Sequence, residues 1–179
     1  MNNNLERLIK QNIPFTSPQV KAQVGFLYLA YCYTSSQQAY FKEYGVTLQQ
    51  YNILRILRGQ YPKPANINML KDRMLDKMSD VSRLVDRLQQ IDYLTKDTND
   101  DDKRNADVLI TEKAMQLLST IDEKGVETAT IFNKISEEEV QHFNRIVDKL
   151  LDPLSQSPER NHTGPWRSDH NRRACTVPV

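Results

Sequence analysis

Two arginines one helical turn apart, Arg83 and Arg87, stand among Ser79, Asp80, Ser82, Asp86 and Gln90. A guanidinium can hold guanine bidentately, and an aspartate can accept from the cytosine amine. Serine hydroxyls can bond bases or phosphates. Interleaved with these polar residues are Val81, Leu84, Val85 and Leu88, in the i, i+3, i+4, i+7 spacing of a helix with one buried face. The arginines then share the opposite stripe, where both can face a major groove. Ser79, Asp80, Ser82, Arg83 and Arg87 are therefore candidate base or phosphate contacts. Arg83 leads the set, whereas Asp80 and Arg87 can instead position neighbours. The competing reading is a solvated helix face on which Asp86 and Arg87 pair locally.

Neighbouring segments supply the scaffold such a helix needs. Thr47-Leu-Gln-Gln50 is a capping box opening a helix over 48–58, with Gly59 placed as its C′ residue ahead of Tyr-Pro-Lys-Pro. Asn66 can cap a helix over 67–73 that puts Ile67, Leu70 and Met74 on one face. The arginine-bearing helix follows, over 78–90. Two short helices with a tight connection, the second bearing a polar and basic stripe, form a helix-turn-helix. Tyr93–Thr98 and Ala106–Ile110 read as strands around the polar turn 99–105, which predicts a β-hairpin wing.

Longer helices flank this lobe. Residues 19–43 lack proline and carry helical apolar spacing. Thr111 caps a long helix carrying Ala114, Leu117, Leu118, Ile121, Gly125, Ala129 and Phe132. Ser136-Glu-Glu-Glu139 is a second capping box. It opens a helix whose Val140, Phe143, Val147, Leu150 and Leu154 alternate spacings of three and four, the seam of a helix packed along another. The expected fold is mostly α with a small β-hairpin wing (α+β), a winged helix-turn-helix flanked by dimerisation helices. Its parts are an N-terminal extension (1–18), a helical region (19–46 and 112–154), the winged lobe (47–111) and a disordered tail (155–179).

The 179 residues suit about one domain. Net charge is +1, yet residues 55–104 carry eleven Lys/Arg against nine Asp/Glu while residues 105–154 carry five against ten. A uniformly basic nucleic-acid binder is excluded, and any basic surface must be local. The longest apolar run, 24–33, reaches about half a membrane span, which predicts no membrane association. No basic stretch leads into an apolar one at the N-terminus, so a cytoplasmic protein is expected. Cys32 and Cys175 cannot build a disulfide framework or a four-ligand zinc site. His142 is the only histidine before the tail, and no Ser/His/Asp order, phosphate-binding glycine loop or metal cluster is recognisable. Asp100–Asp102 lacks the glycine and distal glutamate of a calcium loop. Neither an enzyme, a cofactor nor a metal is expected.

Taken in order, Gly45-Val-Thr-Leu-Gln-Gln-Tyr-Asn-Ile-Leu-Arg-Ile-Leu-Arg58, Met78-Ser-Asp-Val-Ser-Arg-Leu-Val-Asp-Arg-Leu88, and Asp102-Lys-Arg104 ahead of Val108-Leu-Ile-Thr-Glu-Lys113 resemble the MarR family of bacterial regulators. The resemblance spans about residues 19 to 154. Ala114 and Asp92 stand where the family frequently has glycine. The resemblance implies a homodimer whose first and last helices interlock, with Val140, Phe143, Val147, Leu150 and Leu154 in the interface. It implies double-stranded DNA as partner, a repressor's action and a small effector. Two-fold symmetry makes the operator pseudo-palindromic. It also implies that Lys103 and Arg104 at the hairpin turn approach a minor groove, Asp102 bracing the arginine. A merely solvated acidic turn is the alternative.

Relatives take aromatic ligands between the dimerisation helices and the DNA-binding lobe, which makes Tyr28, Tyr31 and Tyr51 candidate effector contacts. The alternative is that these rings pack the dimer core. Some relatives sense peroxide through a first-helix thiol, but Cys32 has no basic residue within one turn and reads as a buried, inert thiol. The competing function class is a helical protein-interaction module that retains the winged helix without DNA binding.

Overall fold

A computed structural model describes residues 4–97, 106–124 and 131–155. The chain divides into two compact units, residues 1–133 and 134–179. The first unit begins with α1 (Asn4–Leu8), which the sequence did not suggest, and α2 (Pro18–Lys42). Ser17 caps α2 by accepting from the Val20 amide, and Gly45, at φ 73°, takes the left-handed conformation that follows the helix.

Next comes α3 (Leu48–Gln60), opened by the expected capping box: Gln50 N donates to Thr47 Oγ1 at 3.2 Å and Thr47 N to Gln50 Oε1 at 2.9 Å. Its C-terminus differs from expectation. Gly59 lies inside the helix, which ends at Gln60 with Tyr61 as its non-helical C-cap, because Pro62 disfavours a helical conformation for the residue before it. A two-residue strand, β1 (Ala65–Asn66), then leads into α4 (Ile67–Arg73), capped by Asn66 as expected. The following helix, α5 (Val81–Gln90), starts later than residue 78. Asp80 is its N-cap, accepting from the Arg83 amide at 3.2 Å, so Met78 and Ser79 belong to the preceding turn.

Asp92, where the family often has glycine, sits at φ 59°. Aspartate tolerates that region better than most residues, so the chain turns there into β2 (Leu94–Asp97). It returns as β3 (Asp107–Ile110), between β1 and β2 in an antiparallel sheet pairing Leu94 with Ile110, Lys96 with Val108 and Ala65 with Val108. Thr111 caps α6 (Glu112–Glu123). This helix is shorter than expected: it ends at Glu123, and Phe132 lies in a 3₁₀ turn, Ile131–Lys134.

The core of the first unit joins Ile53, Leu54 and Leu57 of α3 to Leu70, Val81, Val85, Leu88, Leu94, Val108, Ala114 and Leu118. Each large apolar side chain removed from water there contributes about 1.5–3 kcal/mol. A second cluster joins Phe41 and Val46 to Ile121, with Tyr40, Tyr44 and Tyr51 packed against it. The rings at the C-terminal end of α2 thus fill a core within one chain.

In the second unit, α7 (Glu137–Ser155) opens with the expected capping box, Ser136 N donating to Glu139 Oε2 at 2.8 Å and Glu139 N to Ser136 Oγ at 3.3 Å. Val140, Phe143 and Val147 are half-buried, while Ile146, Leu150 and Leu151 are exposed. Ser155 closes this helix instead of opening a tail; 156–179 lie outside the described residues.

Candidate nucleic-acid interface

Packing of Val81, Val85 and Leu88 into the core turns the opposite side of α5 outward. Ser82, Arg83, Asp86 and Arg87 are all exposed there. Beside them is a shallow groove of about 220 Å³ lined by Gln49, Asp76, Ser79, Asp80, Arg83, Leu84 and Arg87. Four of the five predicted contacts on this stripe, Ser79, Asp80, Arg83 and Arg87, therefore line one concavity, and Ser82 is exposed on the same helix. Asp80 uses a carboxylate oxygen to cap α5, which makes it a positioning residue for Arg83.

The local Asp86–Arg87 pairing considered from sequence does not form. Asp86 instead accepts from Lys96 on β2 at 2.9 Å. Among the described residues neither Arg83 nor Arg87 has an ion-pair partner, so both guanidinium groups remain available to a polyanion. Carbonyls at the far end of α5 are satisfied within the lobe. Lys113 Nζ donates to Ile91 O and Thr111 Oγ1 to Asp92 O, both at 2.8 Å, which ties the helix to the start of α6.

Sequence reasoning missed Gln49, Asp76 and Asn52. Asp76 Oδ1 accepts from Met78 N at 3.0 Å and Oδ2 from Ser79 Oγ at 2.9 Å, which holds the turn before α5. The Asp-x-x-Ser spacing was the available signal. Asn52 reaches the same turn from α3, its Oδ1 accepting from Leu75 N at 3.1 Å. Nothing local in the sequence marked that contact.

Asp102, Lys103 and Arg104 lie outside the described residues. The strands leading to them are joined in register at Asp97 and Asp107, so a hairpin stem precedes that segment. The side chain of Leu154 is likewise outside the described residues.

The three tyrosines proposed for an effector do not form one group. Tyr51 stacks on Phe41, with ring centroids 4.0 Å apart, and lies against Arg55. Tyr28 and Tyr31 lie along the middle of α2, Tyr31 exposed. A hydrogen bond with Cys32 and the nearby thiol push the Tyr28 phenol up. Cys32 is exposed in this chain rather than buried as expected, its neighbours Tyr31 and Leu29 on α2 being exposed as well. Gln37 is buried near the end of that helix, and its Nε2 lacks a hydrogen-bond partner among the described residues. No helix among the described residues is long and apolar enough to cross a membrane.

No family model matches the chain. It is 23% identical over 120 residues to the HTH-type transcriptional regulator MgrA of Staphylococcus aureus, covering 67% of this chain and 80% of MgrA. Its fold is shared with AbsC, a MarR family transcriptional regulator from Streptomyces coelicolor (TM-score 0.65, 14% identity, 81% of this chain and 100% of AbsC). A MepR–DNA complex from S. aureus matches comparably (TM-score 0.63, 18% identity, 79% and 100% of the two chains). MgrA and AbsC are both transcriptional regulators. In its sequence relatives and in its winged helix fold, the chain resembles the MarR family of transcriptional regulators.

Proposed function

We propose that this chain is a sequence-specific, DNA-binding transcription regulator of the MarR type, acting in the cytoplasm as a homodimeric repressor. The observation that carries the reading is the outward face of α5, where Arg83 and Arg87 have no ion-pair partner among the described residues and stand beside the groove lined by Ser79 and Asp80. In this reading α5 enters a major groove of a pseudo-palindromic operator, with half-sites about 10 base pairs apart, while Lys103 and Arg104 approach the adjacent minor groove. Helical segments 19–46 and 112–154 serve dimerisation. The exposed apolar side chains Phe26, Leu27 and Leu29 on α2, and Leu150 and Leu151 on α7, support that assignment, because such surface is costly to leave in water. Repression requires only occupation of a promoter. A small aromatic effector that binds the DNA-incompetent dimer more tightly relieves it.

A salt titration of binding to duplexes enriched from a random pool tests the reading. DNA binding through α5 and the wing weakens steeply as salt rises, through counterion release. A helical interaction module with no DNA partner enriches no duplex and shows no such slope.

A further inference from the structure

We propose that Met78 reads DNA sequence, its thioether side chain packing on the 5-methyl group of a thymine in the major groove. The inference rests on the DNA-binding reading above. The turn from α4 to α5 is restrained residue by residue. Leu75 N is held by Asn52, Met78 N and Ser79 Oγ by the two carboxylate oxygens of Asp76, and the Lys77 ammonium by the carbonyl of Asp72. These bonds restrain the backbone around Met78, yet the residue is 84% exposed. Met74, four residues earlier, is 2% exposed in the core. The lobe therefore packs one methionine of this segment and leaves the other in water, next in sequence to Ser79 on the groove that also holds Arg83.

A solvated apolar side chain on a hydrogen-bonded turn adds nothing to the core, but it suits an apolar target. Thymine alone among the bases shows a methyl group in the major groove. An unbranched thioether adapts to such a surface. Met78 thus adds an apolar reading to the hydrogen-bonding capacity of Ser79 and Arg83.

The test uses duplexes enriched by the wild-type full-length chain, resynthesised with one thymine at a time replaced by deoxyuridine. That change removes the methyl and leaves every hydrogen-bonding group. Wild-type affinity is expected to fall about fourfold at one position in each half-site, the effect of one buried methyl. Met78→Ala binds the thymine duplex more weakly and no longer distinguishes uracil there, whereas Met78→Leu keeps the discrimination. Equal methyl dependence in Met78→Ala and wild type overturns the inference, as does no methyl dependence in the wild type. Loss of discrimination in Leu75→Ala with retention in Met78→Ala overturns it too, because Leu75 is the other exposed apolar residue of the turn. If no duplex is enriched, the DNA-binding reading itself fails and takes this inference with it.

Discussion

Asp86 on α5 and Lys96 on β2 are joined by a 2.9 Å ion pair that cross-links the arginine-bearing helix to the first strand of the hairpin. Lys96 keeps 20% of its side-chain surface exposed and Asp86 54%, so water screens the pair substantially. Its consequence for binding is indirect: with Asp86 engaged by Lys96, Arg87 has no acidic partner among the described residues.

Asp86→Asn should therefore change stability by no more than about 1 kcal/mol in thermal melts. Removing a negative charge beside the proposed DNA surface should tighten operator binding at low salt and less so at high salt. Titrations at two ionic strengths check this, and weaker binding at both would show that Asp86 helps to orient the surface.

Arg83→Ala should cost about 1–3 kcal/mol of operator affinity and relax preference at one base position. The side chain is exposed opposite Val81, Val85 and Leu88, so the melting temperature should hardly move. A binding-site selection with the variant is the measurement. An unchanged profile would reassign Arg83 to phosphate or solvent.

At the wing, Arg104→Ala should weaken DNA binding while changing stability by less than about 0.5 kcal/mol. Lys103→Ala should lower affinity evenly across sequences and flatten the salt slope by about one unit. Asp102→Asn separates two roles: simple electrostatics tightens binding, whereas loss of a brace for Arg104 weakens it. Wild-type behaviour in all three variants would favour the interaction-module alternative.

Truncation after Ile135 removes α7 with its Val140, Phe143 and Val147 face. Aggregation or unfolding is expected, since obligate dimers often have no stable monomer. Light scattering and circular dichroism on the truncated chain check it; a soluble, folded, DNA-binding monomer would remove α7 from the dimer interface.

Tyr40 and Tyr44 place their hydroxyls 3.2 Å apart. That hydrogen bond, then burial, pushes the Tyr40 phenol up to about 12 from the ordinary 10.0. Below the unfolded value both states carry the proton, and the contribution to stability is complete. As pH rises from about 10 towards 12 the unfolded chain releases the proton while the folded chain keeps it, so stability falls through that window. Tyr40→Phe should show a shallower alkaline loss of melting temperature than wild type. An absorbance titration of the folded protein should show one late-titrating tyrosine that the variant lacks.

The order of the elements was legible because the forces that start and face a helix act within about four residues. Thr47 with Gln50, Asn66 with the Met69 amide, and Ser136 with Glu139 form the caps their spacing implied. The apolar period of 81–88 likewise set which side of α5 is buried, and hence that Arg83 faces outward. Where local signals competed, the reading slipped. Gly59 looked like a helix end, but a glycine inside a helix costs only about 1 kcal/mol, and Leu57 behind it is buried.

Partnerships between distant parts of the chain were decided by the tertiary structure alone. Asp122 on α6 accepts from Arg55 at 3.0 Å and from Arg58 at 2.7 Å, across 67 and 64 residues, and no pattern in the sequence selects those partners. The same holds for Asn52 with the Leu75 amide and for the two-residue β1, which pairs with β3 only because the chain returns beside it. Helical period and capping are properties of neighbouring residues. The partner of Asp86 and the bond from Asn52 to the turn bearing Met78 depend on where folding brings remote segments, because only the packed core sets those distances.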